Sequence, residues 1–383
     1  MASDDEIDRL ILELHSTGGP AQPAGDVARL ERWLRLLASR NGSDLLLVAG
    51  APPSIRVDGR IQPLAEGPLD GVDIEDAILP ALPPHARRIY RDAHIVDASF
   101  RIDGVGRFRI NLHRERGRAA AAVRLLPSRV PRLTTLGLPP SVEWLAQLPR
   151  GLVLVGGPTG SGKTTTLAAV VDAINRREAR HIVTIEDPIE YEHQHQGCVI
   201  EQVEIGVDAP DFPTALRAAV RQAPDVIVVG EMRDPETMRI ALAAAETGHL
   251  VLSTLHTTDV ASTVSRIADS FPSERQNTIR QELAMAVAAV MTQTLLPRIG
   301  GGIVPAAELL IVSYGARQHI RRNALQHLHQ EITITRRHGS FTFEESLARL
   351  VKDGLVDWRE AHARAAHVDE FEQLAPAPPP SHP

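Results

Sequence analysis

The chain has 383 residues, 43% of them hydrophobic and only 3% aromatic, with a formal net charge of −7. That length supports two domains with separate cores built from Ala, Val, Leu and Ile, and the acidic balance disfavours general attraction to nucleic acid or to an anionic membrane. No apolar run approaches the ~20 residues of a membrane span, the acidic start Met1-Ala2-Ser3-Asp4-Asp5-Glu6 has no basic n-region, and the lone Cys198 excludes an internal disulfide and a multi-cysteine zinc site, so a reducing, cytoplasmic setting is expected.

Residues 1–25 mix charge with Gly18, Gly19, Pro20 and Pro23 and read as an amino-terminal extension, a short helix followed by a loose connector. From Asp26 the apolar residues Val27, Leu30, Trp33, Leu34 and Leu37 recur at helical spacing and predict one buried face. Short strands are expected at Leu45 to Val48, at Ser54 to Val57 before the Asp58-Gly59 turn, and at Phe108 to Leu112, giving a small α+β domain over 26–127. Pro127, Pro131, Pro139, Pro140 and Pro149 then mark 128–150 as an interdomain linker and hinge.

From Gly151 strand and helix alternate regularly over 151–371. Strands are predicted at 152–156, 181–185, 226–229 and 250–254, with helices from about 163, from about 212 and over 235–247. Such alternation implies a mostly parallel sheet covered by helices. Asp234-Pro235 is a helix start, with an N-cap carboxylate and proline at the first helical position, and Gly248 is its stop. The stretch 372–383 reads as an extended Pro-rich tail without assigned function.

Lysine is almost absent: of 41 basic residues only Lys163 and Lys352 are lysines. Lys163 sits in Gly157-Pro158-Thr159-Gly160-Ser161-Gly162-Lys163-Thr164, a complete GxxxxGK[ST] pattern between an apolar strand and a helix-forming run. An ammonium is a flexible point charge able to bridge β- and γ-phosphates where a planar guanidinium would not fit. The glycines let backbone N–H groups converge on phosphate oxygens, and the Thr164 hydroxyl, followed by Thr165, can ligate Mg²⁺. ATP or GTP binding follows; the plain alternative is a glycine-rich turn.

Hydrolysis further needs an oriented water and neutralised charge. Glu186-Asp187 and Glu231 follow strands that would emerge at the same carboxyl edge as the phosphate loop. Gly230 stands where many such enzymes place an Asp, so metal handling by Glu231 would run through water. The competing reading makes both glutamates simple helix N-cap carboxylates. His249 and His256 flank the strand at 250–254, and spacing alone does not assign them to one face. His193-Gln194-His195 near Cys198 has an H-x-H spacing without a further ligand set for a metal.

Four blocks now coincide: GPTGSGKTTT at 157–166, TIEDPIEY at 184–191, APDVIVVGEMRD at 223–234 and TGHLVLSTLHT at 247–257. In this order they resemble the Walker A, Asp box, Walker B and His box of secretion-type ATPases, most closely the twitching-motility pilus-retraction ATPases of the PilT/PilU type. The likeness extends through SDLLLVAGAPPSIRVDGRI at 43–61, RFRINLHRERG at 107–117 and TQTLLPRIGGG at 292–302, covering roughly residues 26 to 371. It implies an α/β fold with a RecA-like P-loop core and a small amino-terminal PAS-like α+β domain, in a homohexameric ring. It also implies that Glu186 polarises the attacking water, that Glu231 supports Mg²⁺ and that His249 and His256 position phosphate and strand.

Between Arg87 and Arg132 twelve arginines stand against four acids (Asp92, Asp97, Asp103 and Glu115). A nucleic-acid surface is one reading, but few aromatics accompany them. In a ring the better use is an arginine reaching the γ-phosphate held by the next subunit, and Arg107, Arg109, Arg114 and Arg124 match family positions; solvated arginines on strand faces are the bland alternative for most of them.

Two departures from the family pattern stand out. An Asp-Leu-His-Leu run is replaced by Asp44-Leu45-Leu46-Leu47, and an AIRNLIRE-like helix ends here in Arg321-Arg322, with Arg322 in place of the last acid. The absence of CxxC pairs argues against the pilus-extension and type II secretion relatives. The leading expectation is a Mg²⁺-dependent ATP hydrolase that retracts a type IV pilus, peripheral to the inner membrane at the pilus base, working with an inner-membrane platform protein and without nucleic acid. Two alternatives remain: an accessory nucleotide-binding ring that docks on a paralogous motor ATPase, which the altered helix favours, and a related secretion or DNA-translocation ATPase.

Overall fold

The computed structural model describes residues 27–377, so the extension expected over 1–25 lies outside the described residues, as do 378–383. The chain divides into two compact units, one ending at Pro127 and the other beginning at Ser128.

In the first unit α1 (Val27–Ser39) buries Leu30, Trp33, Leu34 and Leu37 along one stripe. After it come β1 (Asp44–Val48), β2 (Ser54–Val57), β3 (Arg60–Pro63), α2 (Gly71–Ile78), α3 (Pro84–Ala93), β4 (Ile95–Ile102), β5 (Gly106–Glu115) and β6 (Arg118–Leu125). The six strands pair in the order β3-β2-β1-β6-β5-β4, antiparallel throughout. Period-two alternation sorts β5: Phe108, Ile110 and Leu112 enter the core, and Arg107, Arg109 and Asn111 take the other face.

The second unit is built on β7 (Gly151–Gly156), β8 (His181–Glu186), β9 (Val199–Glu204), β10 (Val226–Val229), β11 (Leu250–Leu255), β12 (Val287–Pro297) and β13 (Ile303–Ile311), ordered β13-β12-β7-β11-β10-β8-β9. Every pair is parallel except β12 with β13. β7, β10 and β11 are buried along their whole length, which is why they read as mainly Val/Leu/Ile runs; the buried Ser253 and Thr254 of β11 donate their hydroxyls to the Val229 and Gly230 carbonyls. On one face Leu152, Ile227 and Val251 pack beneath α5 (Phe212–Ala219), α6 (Pro235–Glu246), α7 (Val260–Asp269) and α8 (Ser273–Ala286). On the other, Val153, Val228 and Leu252 pack beneath α4 (Lys163–Arg177). The start of α6 is capped by Asp234, whose carboxylate accepts the Thr237 N–H at 2.8 Å. Five further helices follow: α9 (Tyr314–Arg321), α10 (Leu328–Ile334), α11 (Phe343–Lys352), α12 (Trp358–Arg364) and α13 (Val368–Leu374). No helix of the described residues is long and apolar enough to cross a membrane.

Two expectations are corrected. The stretch 128–150, expected to be an interdomain linker and hinge, belongs to the second unit: Leu133, Leu138, Val142, Leu145, Ala146 and Leu148 are buried in the same core as α4. Its prolines interrupt regular hydrogen bonding, but the apolar residues between them still gain by burial. Nor does the tail begin at 372, because Phe371 and Ala375 are buried and the Trp358 indole N–H donates to the Ala375 carbonyl at 2.8 Å.

Beneath the sheet's antiparallel edge lies a buried carboxyl, Glu308 on β13. It accepts the Val260 N–H at 2.7 Å and the Thr292 hydroxyl at 2.9 Å. Burial, helped by the nearby Asp259 and Glu344, outweighs those bonds and pushes its pKa up to about 7. A pKa raised in the folded state means that Glu308 contributes fully below its unfolded value and loses that contribution as pH rises toward and through 7. Urea titrations should therefore show second-unit stability falling between pH 5 and pH 8, by up to about 3 kcal/mol from this group. Glu308→Gln should flatten that slope; an unchanged slope in the variant would clear Glu308 of it.

Candidate nucleotide site

The parallel register brings the carboxyl ends of β7, β8, β10 and β11 to one edge of the sheet, the edge where such folds bind ligands. From β7 the chain passes through 157–162 and enters α4 at Lys163, capped by Gly162 in the left-handed region at φ +86°. Gly157 permits no side chain, since a Cβ there would collide with Ser161 Oγ and the Gln293 carbonyl. The loop thus leads directly into the amino terminus of α4, where the unpaired N–H groups of a first helical turn favour an anion.

Lys163 is buried, and its ammonium donates to the carbonyls of Gly157 at 2.8 Å and Pro158 at 3.0 Å. Desolvation lowers its pKa, and the negative charge of Glu231 works against that lowering. Ser161 Oγ is buried with no hydrogen-bond partner. An orphaned hydroxyl, a cation turned onto its own loop and a cradle closed to Cβ atoms together fit phosphate oxygens as the missing partners. For Mg²⁺ the fit rests on donor type: the Thr164 hydroxyl and the Glu231 carboxylate are hard oxygen ligands, and phosphates complete such sites.

His256, just after β11, ties two parts of the site together. Its Nδ1 lies 3.3 Å from the Thr159 hydroxyl and its Nε2 3.4 Å from Glu231 Oε1. The other oxygen of Glu231 receives the Arg233 guanidinium at 2.8 Å. Glu186 is the last residue of β8 rather than the first beyond it. It accepts the Thr184 hydroxyl at 2.7 Å and the Gln202 amide at 3.1 Å on the same oxygen. Burial raises the Glu186 pKa; the hydrogen bonds from Thr184, Gln202 and the Glu190 backbone only partly oppose this. A carboxylate poised above its ordinary range is a better proton acceptor than a solvated one.

His249 is not brought to this edge. It precedes β11, where Leu250 pairs with Gly151 at the opposite end of β7, roughly 20 Å of strand away from His256. Its Nδ1 lies 2.9 Å from the Ala244 carbonyl, closing the end of α6. The arginines belong to the first unit, where Arg109 and Arg124 are direct cross-strand partners on β5 and β6. Adjacent like charges are tolerable there because Arg109 pairs with Asp97 at 3.3 Å and Arg124 with Asp44 at 2.9 Å. Burial pushes the Asp44 pKa up, but hydrogen bonds from Ser43 and Arg124 and the fields of Arg124 and Arg56 carry it below the ordinary value. Arg107 lies opposite Arg101 on β4.

The H-x-H loop is structural. His193 is pushed down to about 4 chiefly by burial, His195 Nδ1 accepts the Ile200 N–H at 3.2 Å, and Cys198 is buried with its Sγ 3.3 Å from the Glu178 carbonyl. Arg322 caps α9 at its carboxyl end and is exposed, where a cation suits the helix dipole.

One site residue carried no local signal. Gln293, buried on β12, donates its amide to the Ser161 carbonyl at 2.6 Å and accepts the Thr166 hydroxyl at 2.8 Å, bracing the phosphate loop from beneath. Only its strand's place beside β7 reveals it.

The family model described as "Type II/IV secretion system protein" matches residues 101–362. The chain belongs to that family. Within it the chain is 41% identical over 338 residues to the type IV pilus retractation ATPase PilT of Pseudomonas aeruginosa, spanning 88% of this chain and 98% of that protein. It is 37% identical over 345 residues to PilU, a type IV pilus ATPase of the same organism, at 90% of each. A solved structure of the pilus retraction motor PilT with bound ADP superposes with a TM-score of 0.82 at 41% identity, over 91% of this chain and 99% of that one. The chain is thus a PilT-like member of the secretion ATPases, with their RecA-like core and an α+β amino-terminal unit.

Removing the ammonium should leave phosphate charge uncompensated in a half-dehydrated loop. Lys163→Ala is expected to weaken ATP binding about tenfold to a hundredfold while circular dichroism stays unchanged. Titration calorimetry giving wild-type affinity would remove this loop from nucleotide binding.

Proposed function

We propose that the chain is a Mg²⁺-dependent ATP hydrolase and the subunit of a homohexameric motor that retracts or disassembles a type IV pilus. The observation that carries the reading is Glu186, a partly buried, hydrogen-bonded carboxylate with a raised pKa at the same sheet edge as the Lys163 loop. The loop amides and Lys163 hold the β- and γ-phosphates of ATP. Glu186 takes a proton from a water whose oxygen attacks the γ-phosphorus, and the bridging oxygen departs with ADP. Thr164, and Glu231 through water, would hold Mg²⁺, which when bound would neutralise charge on the phosphate oxygens. His256, between Thr159 and Glu231, keeps the loop tip and that carboxylate together.

Arg107, Arg109 and Arg124 are proposed to complete the site of a neighbouring subunit, in keeping with the ring. The chain would then work against the cytoplasmic face of the inner membrane at the pilus base, with a platform protein as its partner and no nucleic acid. A second reading, an accessory ring docked on a paralogous motor, is favoured by Arg322 and by the nearly equal likeness to PilU and PilT.

Glu186→Gln is nearly isosteric and should bind ATP and assemble as the wild type does, with steady-state phosphate release reduced by at least about a hundredfold. Turnover at the wild-type rate would show that another group activates water. Arg109→Ala or Arg124→Ala subunits, inactive alone, should regain partial activity when mixed with inactive Glu186→Gln subunits, because some interfaces then pair an intact arginine with an intact glutamate. Persistent inactivity despite labelled co-purification of both chains would return those arginines to a solvated sheet face.

A further inference from the structure

We infer that Gln202 and Tyr191 are positioning residues that fix the Glu186 carboxylate relative to the phosphate-loop helix. The inference rests on the reading of Glu186 as the water-activating group. Gln202 lies on β9, the edge strand, in parallel register with Thr184 on β8, while Glu204 is in register with Glu186. Its amide nitrogen donates to Glu186 Oε1 at 3.1 Å and to the Tyr191 carbonyl at 2.9 Å, and its amide oxygen accepts the His193 N–H at 2.8 Å. This set of partners permits only one orientation: a flipped amide would face two acceptors with an oxygen and one N–H with another. Thr184 donates to the same carboxylate oxygen at 2.7 Å, so two donors on one atom hold the carboxylate against rotation.

Tyr191 carries the connection onward. Its backbone carbonyl is held by Gln202, and its buried side chain places its hydroxyl 2.9 Å from Thr165 Oγ1 in the first turn of α4. The strap from Asp187 to His193 is therefore pinned to Gln202 on one side and to the helix that follows the phosphate loop on the other. Thr165 is the immediate neighbour of Thr164, so a shift of that turn on phosphate binding is transmitted through Tyr191 and Gln202 to the carboxylate. The charged neighbour whose field reaches Glu186 is Glu190, on this strap. Losing the Gln202 donor thus alters both the place and the basicity of the carboxylate, whereas losing the Tyr191 hydroxyl bond frees only the link to α4.

The test compares Gln202→Met, Tyr191→Phe and Glu186→Gln in the full chain, by steady-state phosphate release across pH 5.5 to 9 and by ATP titration. Gln202→Met keeps length and shape without donors. Its kcat at pH 7 should fall about tenfold or more, with KM and ATP affinity unchanged. Its acid limb should move to higher pH, because a donor to the ionised form has been lost. Tyr191→Phe, a single hydroxyl deletion that leaves the Gln202 bonds in place, should lower kcat severalfold without moving the acid limb. Wild-type kcat and acid limb in Gln202→Met, with Glu186→Gln inactive, would overturn the inference and leave the functional reading intact. A loss in Gln202→Met that appears equally in KM and ATP affinity would also overturn it, assigning Gln202 to the scaffold. Full turnover by Glu186→Gln would overturn the functional reading itself, and the inference with it. Should Gln202→Met fail to fold, wild-type kcat in Tyr191→Phe would by itself sever the proposed link to α4.

Discussion

Parallel pairing around β7 is the constraint on which the candidate site depends. Parallel strands all end on one edge, so four segments distant in the sequence deliver Gly156, Glu186, Glu231 and His256 to the same place. Each lies at the end of, or within two residues beyond, a strand whose backbone hydrogen bonds fix its height. Antiparallel pairing would have put half of these groups at the far end of the sheet, which is where His249 lies even though it is adjacent to β11. The crossover helices needed by parallel strands also close both sheet faces, and this burial gives Lys163 and Glu186 their shifted proton affinities.

Burial acts in opposite senses on the two charge types, and the site uses both. Lys163 becomes less stable as a cation and so gains more from an anionic ligand, whereas Glu186 becomes a stronger base. Neither group is isolated: the lysine is hydrogen-bonded by loop carbonyls, and the glutamate by Thr184, Gln202 and the backbone of Glu190. An ion without such partners would cost the fold several kcal/mol. Buried charge is thus kept where hydrogen bonds offset most of its desolvation, and the residual imbalance is left for chemistry.

Much of this was legible in the sequence because it was written locally. The phosphate loop is a contiguous pattern, strands β7, β10 and β11 are mainly apolar runs, and the Asp234-Pro235 cap marks the start of α6. Glu186 and Glu231 could be placed because each ends or follows such a strand. What escaped was written across strands: Gln293 reaches the loop only because β12 lies beside β7, and Gln202 reaches Glu186 only because β9 lies beside β8. β9 itself, Val199-Ile200-Glu201-Gln202-Val203-Glu204, is an edge strand with polar positions and lacks the apolar run that marked its neighbours. His249 misled for a related reason, since adjacency to a strand does not say which end of it a residue occupies. Pro-rich 128–150 looked like a hinge because proline marks broken hydrogen bonding, while the burial of Leu133 and Leu145 depends on a surface that α4 supplies.

The internal bonds of Lys163 also bear on how a working cycle would close. An arriving phosphate would compete with the carbonyls of Gly157 and Pro158 for the ammonium's three donors, so part of the attraction goes into exchanging partners. Once an anion departed, those same carbonyls would hold the charge, and no naked cation would be stranded. A loop that hydrogen-bonds its own cation in this way would trade strength of grip on an anion for ease of release.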